Sequence, residues 1–303
     1  MRHFKTISEF HEFVQLPKPQ HPLFSVVDVG TVPHRPQEEE LRSMVFDFYA
    51  ISIKRMRNVN VKYGQQPFDF NDGIMSFMAP SQVFGMTVAN KDEAVEKSGW
   101  VLYIHPDFIW NTPLASAIKR YDFWDYSLHE ALFLSAKEEA TIMAVMQAIN
   151  QEYEATIDRF SKPIIVSHVE SLLNYADRFY NRQFITREKS NHQVLERVEA
   201  LLQAYFNSDN LSERGLPTVH YVADCLHLSP KYLSTLLRLL TGQNTQQHIH
   251  AQLIAKAKEK LTATTLTVSE IAYELGFEHL PSFSKLFKAK TNLSPLEFRT
   301  SFN

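Results

Sequence analysis

In the N-terminal part of the chain, apolar positions fall in short runs rich in β-branched and aromatic residues, at 23–29, 44–53, 74–78, 83–88 and 100–104. Turn formers separate them, including Tyr63-Gly64, Asn71-Asp72-Gly73 and Ser98-Gly99, so this region reads as five or more strands in a small sandwich or barrel. From about Leu134 the period lengthens. Ser135-Ala136-Lys137-Glu138 has the spacing of a capping box and opens a helical pattern through Ile142, Val145, Met146, Ile149 and Tyr153. A second helix follows Ser161-Lys162-Pro163, with Ile165, Val169, Leu172, Leu173, Ala176, Phe179 and Tyr180 on one face. That face must be covered, by the strand region and the neighbouring helix or by a second copy of the chain, and both remain open. The polar stretch from Thr186 to His192 reads as a linker dividing a unit at 1–185 from one at 186–303.

The last hundred or so residues repeat themselves. Laid against each other at an offset of 49, Thr218/Thr267, Val219/Val268, Val222/Ile271, Ala223/Ala272, Leu226/Leu275 and Leu228/Phe277 pair. After one inserted residue the offset is 50, and Leu233/Phe283, Leu236/Leu286, Leu237/Phe287, Arg238/Lys288 and Thr241/Thr291 continue the match. Each copy begins at a Thr suited to an N-cap, which in the second copy belongs to the capping box Thr267-Val268-Ser269-Glu270. A short helix with a small residue at Ala223 or Ala272 leads to a turn, His227-Leu228-Ser229 or Gly276-Phe277-Glu278. A proline, Pro230 or Pro281, then opens a second helix, where its missing amide hydrogen costs nothing. This is the grammar of a helix-turn-helix at 218–242 and again at 267–292, which sets a helix N-terminus into a major groove. Between the copies, residues 246–261 read as a helix with Ile249, Leu253, Ile254, Ala257 and Leu261 on its apolar side. About 16 residues at 1.5 Å each make a rod of about 24 Å. Such a rod suits two recognition helices held about one DNA turn, roughly 34 Å, apart.

Composition adjusts this picture. A total charge of −3 over 303 residues is unusual for a chain that must meet phosphates. The charge is uneven, however: from Ile185 onward 13 Lys+Arg stand against 11 Asp+Glu, a net +2, which leaves −5 for the rest. Lys285, Lys288 and Lys290 gather within two helical turns. The single cysteine, Cys225, rules out an internal disulfide and a CxxC zinc site and fits a reducing compartment. No apolar run approaches the ~20 residues of a membrane helix, and no leader pattern follows Met1, so a cytoplasmic protein with no membrane partner is expected.

Val268-Ser269-Glu270-Ile271-Ala272-Tyr273-Glu274-Leu275-Gly276-Phe277 resembles the signature of the AraC/XylS family of transcription activators. The resemblance continues through Phe283-Ser284-Lys285-Leu286-Phe287-Lys288 and residues 293–299 and, in the first copy, through residues 228–237 and Thr241-Gly242. It implies an α+β two-domain chain: a cupin-like β-barrel with two following helices, then an all-α domain of two helix-turn-helix units joined by a linker helix. It also implies that Lys231, Ser234 and Thr235 face bases from the first recognition helix, and Pro281, Ser282 and Lys285 from the second. Arg238 and Lys288 suit phosphates. The implied partners are double-stranded promoter DNA, RNA polymerase, a small-molecule effector bound by the N-terminal domain through residues the sequence does not name, and a second copy in a homodimer. Transcriptional activation without a cofactor is the implied activity. The family has Arg at the positions of Thr235 and Leu253, a second cation at that of Leu239 and Gly at that of Asn292. The first unit is thus poor in guanine-gripping side chains, while Asn292 is expected to serve as a left-handed cap.

Two other classes of function are open to such a chain. A cupin-type metal-dependent enzyme needs clustered His and carboxylate ligands, yet His21, His34 and His105 are isolated, and His248 and His250 point about 200° apart on one helix. No metal and no catalytic residue are therefore expected. There is no Walker lysine loop, GxGxxG or GxSxG elbow. An interaction protein without DNA binding is opposed by the cations of the second copy. Cys225 lacks flanking cations and reads as inert, Glu38-Glu39-Glu40 as a solvated loop, and Trp100, Trp110 and Trp124 as core or as the lining of an effector pocket.

Overall fold

Strands form where β-branched and aromatic residues can alternate across a half-buried sheet. Eight do so in the computed structural model, which describes residues 2–32, 44–57, 73–84, 96–126, 130–186, 188–208, 211 and 214–301. They are β1 (Arg2–Phe4), β2 (Phe24–Asp28), β3 (Met44–Phe46), β4 (Tyr49–Arg57), β5 (Ile74–Met78), β6 (Val83–Phe84), β7 (Glu96–Ile104) and β8 (Leu132–Phe133). His34, the run Glu38-Glu39-Glu40, Tyr63-Gly64, Asn71-Asp72 and residues 85–88 of one expected strand lie outside the described residues. The chain divides into two units, Met1–Thr186 and Arg187–Asn303.

In the first unit β2-β7-β4-β5-β8 form one antiparallel sheet and β1-β3-β6 a second, smaller one. The expected barrel does not close among the described residues. β1 pairs in parallel with β3 and draws it into the small sheet, and β8 reaches β5 through two residue pairs only, so each sheet keeps two edges. The expected strand at 44–53 is broken at Asp47-Phe48 into β3 and β4. Helix α1 (Ile7–Phe13) is closed by a capping box between Thr6 and Glu9 and packs Phe10 against Phe4, Phe46 and Tyr103. His11 of the same helix is buried, with Nδ1 2.6 Å from the Pro17 carbonyl oxygen and Nε2 2.9 Å from Ser25 Oγ. Burial pulls the His11 pKa below its ordinary value, against the opposing effect of the Pro17 bond.

Two short helices, α2 (Pro106–Ile109) and α3 (Pro113–Ala117), precede the long pair α4 (Ala136–Glu154) and α5 (Ser161–Thr186). The Ser135–Glu138 capping box forms as expected, and Glu138 also takes two hydrogen bonds from Arg182, at 2.9 and 2.7 Å. All seven apolar residues expected on one face of α5 are buried. Trp124 is buried against Tyr49, Phe77 and Phe123, whereas Trp110 stands 73% exposed.

The second unit is helical among the described residues. Its first element, α6 (Glu188–Phe206), replaces most of the expected linker: the polar residues from Glu188 to His192 are its opening turns. Val198, Leu202 and Tyr205, spaced by four and three residues, put the buried face of α6 into the core. Then follow α7 (Val219–Leu226), α8 (Pro230–Thr241), α9 (Thr245–Ala263), α10 (Val268–Glu274), α11 (Leu280–Thr291) and α12 (Pro295–Thr300). Helix α9 runs 19 residues, about 28 Å at 1.5 Å per residue, and packs on α6, α8, α10 and α12. Its buried apolar residues are the five expected from the sequence.

Candidate nucleic-acid interface

Each helix-turn-helix is built from its caps. In the first, the Thr218 side chain accepts from the Tyr221 N–H, α7 ends at His227 with φ +57°, and Ser229 caps α8 by accepting from the Tyr232 N–H. In the second, Thr267 and Glu270 close a reciprocal box, and the Thr267 N–H and hydroxyl hold the Glu270 carboxyl below its usual pKa. Gly276 takes φ +82° in the turn, where a Cβ would stand 2.8 Å from Gly215 Cα and 2.9 Å from the Leu211 carbonyl oxygen. Only glycine fits there without moving backbone. The expected order of the second recognition helix needs one correction. Helix α11 begins at Leu280, so Pro281 is its second residue rather than its first; the position still lies in the first turn, where a missing N–H is tolerated. Gly242 ends α8 at φ +74° and Asn292 ends α11 at φ +62°, so the asparagine does serve as the left-handed cap.

The two helical pairs share one core. Val222, Ala223, Leu226, Leu233 and Leu237 of the first join Ile271, Ala272, Leu275, Phe283 and Phe287 of the second through Ile249, Leu253, Ile254, Ala257 and Leu261 of α9. Leu253, where the resembled family carries Arg, is fully buried in it. Polar ties fix α9 further: Lys260 Nζ lies 2.6 Å from a Glu274 carboxylate oxygen, Lys256 donates to Asn207 at 3.1 Å, and Arg299 Nε donates to the Leu261 carbonyl at 3.1 Å.

On α8, Lys231, Ser234, Thr235 and Arg238 follow the i, i+3, i+4, i+7 spacing of one face. Lys231 and Arg238 are exposed and Ser234 and Thr235 half-buried. Ser234 is engaged inside the domain, its Oγ 3.0 Å from Oγ1 of Thr245, a fully buried residue at the start of α9. On α11, Pro281, Ser282, Lys285 and Lys288 are all exposed, as is Lys290 at the far end. Leu239, one turn beyond Thr235, is 47% exposed. His248 sets Nε2 2.9 Å from Thr241 Oγ1 at the end of α8, and His250 lies within the field of Lys290. Burial lowers both histidine pKa values; Glu199 opposes this at His248, and Lys290 reinforces it at His250. Cys225 is exposed. Among the described residues no three His, Cys, Asp or Glu side chains gather as a metal site, and no helix is long and apolar enough to cross a membrane.

A family model described as a helix-turn-helix domain matches residues 222–301, which contain both recognition helices. The arabinose operon regulatory protein of Salmonella typhimurium is 29% identical over 141 residues, 46% of this chain and 47% of that protein. Residues 222–301 form an AraC-type helix-turn-helix domain. An uncharacterized HTH-type transcriptional regulator of Bacillus subtilis, YfiF, is 29% identical over 161 residues, so the matched part spans 53% of this chain and 48% of that regulator. The solved C-terminal domain of AraT, a response regulator from Geobacillus stearothermophilus, is similar at 28% identity, covering 36% of this chain and 84% of that one with a TM-score of 0.32. These relatives are regulators by name, not enzymes.

Proposed function

We propose that the protein is a transcription regulator that binds double-stranded promoter DNA through both helix-turn-helix units of its AraC-type domain, each recognition helix entering a successive major groove. The observation that carries this reading is the exposed stripe Pro281, Ser282, Lys285 and Lys288 on a helix held by the same core as its repeat counterpart. Lys285 reads a base edge; Lys288 and Arg238 neutralise phosphates; Lys231 reaches a base from α8 with Thr235 beside it. Ser234, tied to Thr245, contributes through the position of α8 more than through a base contact of its own.

In the same reading, residues 1–185 form the regulatory domain, cupin-like in its strand-then-helix order, and residues 186–303 bind DNA in the cytoplasm. The regulatory domain takes a small-molecule effector and pairs two copies, and bound protein activates by contacting RNA polymerase. Because the apolar stripe of α5 is already buried, pairing falls to the outer face, where Ile164 is 39% and Tyr175 36% exposed. Sedimentation of the full chain tests pairing, with a monomer at tens of micromolar as the contrary result. Selection from a random duplex pool by the full chain tests the DNA reading. Enrichment of a motif of two boxes about one helical turn apart supports it. No enrichment at low salt refutes it.

A further inference from the structure

The two recognition surfaces differ in chemistry at equivalent positions. By the repeat register, Thr235 stands where the second copy has Lys285, and Leu239 where it has Ala289. The first helix thus exchanges a cation for a methyl-bearing hydroxyl and adds an isobutyl group one turn along. Helical geometry puts residues four apart about 40° from each other on the surface, so Leu239 continues the stripe begun by Lys231 and Thr235. Leu239 is 47% exposed, while Leu233, Leu236 and Leu237 of the same helix are buried. Ser234, the other hydroxyl on this face, is held by Thr245 at 3.0 Å. What α8 offers a groove between its two cations, Lys231 and Arg238, is therefore largely apolar.

We infer that Thr235 and Leu239 form an apolar reading surface for thymine 5-methyl groups, so that the first box is recognised by methyl burial and the second by charged and polar contacts. This rests on the DNA-binding reading above. Only thymine among the four bases presents a methyl group in the major groove, so such a surface selects A·T pairs in one orientation without a bidentate hydrogen bond. Burying one methyl or methylene group supports about a fourfold change in affinity.

The test uses the full chain and the two-box duplex recovered by selection, with thymines replaced one at a time by deoxyuridine, which lacks only the 5-methyl group. At one or two positions of the first box each replacement weakens binding about fourfold, and in Leu239→Ala the replacement at the thymine beneath Leu239 has no further effect, while any read by Thr235 keeps its effect. In Leu239→Arg sensitivity at the thymine beneath residue 239 is also lost, while the logarithmic salt slope steepens by about 0.9 from one added phosphate contact. Retained binding to the selected duplex with every replacement neutral would overturn the inference and leave the DNA reading standing. Full methyl sensitivity in Leu239→Ala overturns it too. Failure to enrich any duplex removes both.

Discussion

Replacing Gly276 by Ala tests whether the turn of the second helix-turn-helix is set by its contact with the segment leading into the first. Two costs add. A side chain at φ +82° meets the left-handed penalty of about 1–2 kcal/mol. The new Cβ also falls 2.8 Å from Gly215 Cα and 2.9 Å from the Leu211 carbonyl, both backbone atoms, and Gly215 is further held by the Tyr205 hydroxyl donating to its carbonyl at 2.9 Å. Overpacking against such a surface costs about 1–3 kcal/mol, so the sum is about 2–5 kcal/mol. Two controls separate the terms. Gly242→Ala, at φ +74° with open space around it, should cost only the conformational part, about 1–2 kcal/mol. His227→Gly, which relieves a non-glycine residue at φ +57° in the equivalent turn, should be neutral or stabilise by up to about 1 kcal/mol. Urea unfolding of the full-length variants, followed by circular dichroism of the helical transition, gives the order Gly276→Ala below Gly242→Ala below parent. A Gly276→Ala protein no less stable than Gly242→Ala would show that the close approach to Gly215 carries no energy and would refute the packing argument.

At the interface, Lys285→Ala should weaken binding to the selected duplex by about 1–3 kcal/mol and relax preference at one position, read by titration against a panel of single-base variants. Equal binding to every variant by parent and mutant would remove Lys285 from base readout. Lys288→Ala should lower affinity uniformly and make the logarithmic salt slope shallower by about 1, and an unchanged slope would strike it from the phosphate contacts. The lowered pKa values of His11, His248 and His250 set a pH dependence. Each folded-state value lies below that of the unfolded chain, so the unfolded state binds more protons and stability falls as pH drops from about 6.5 toward the lowered values. The urea midpoint should decline between pH 7 and about 5.5, before the carboxylates titrate; a flat midpoint contradicts the burial of these rings.

The C-terminal repeat was legible because its signals are local. A Thr N-cap, a small residue five positions on, a turn and a proline recur within each copy, and the apolar residues of α9 lie at helical spacing. Non-local facts were hidden. The bond between Ser234 and Thr245 joins residues 11 apart across a turn, and it changes which side chains of α8 face outward as hydrogen-bonding groups. Helix α6 was missed although Val198, Leu202 and Tyr205 mark its inner face, because its polar opening turns look like a linker. Pairing between distant strands decides closure, and nothing in alternation alone says that β1 joins β3 in parallel and leaves two open sheets among the described residues. The Thr6–Glu9 box of α1 was a readable signal, obscured by the three-residue strand before it.

In the proposed function one chain, through a rigid α9, presents two recognition helices to successive grooves. The most direct test is the affinity of the full chain for the selected duplex with base pairs inserted between the boxes. About five added base pairs turn one box half a helical turn away from the other. Affinity should then fall to that of a duplex carrying only the better box. Affinity unchanged by the insertion would contradict the account, since it would mean that the two units do not engage the DNA together.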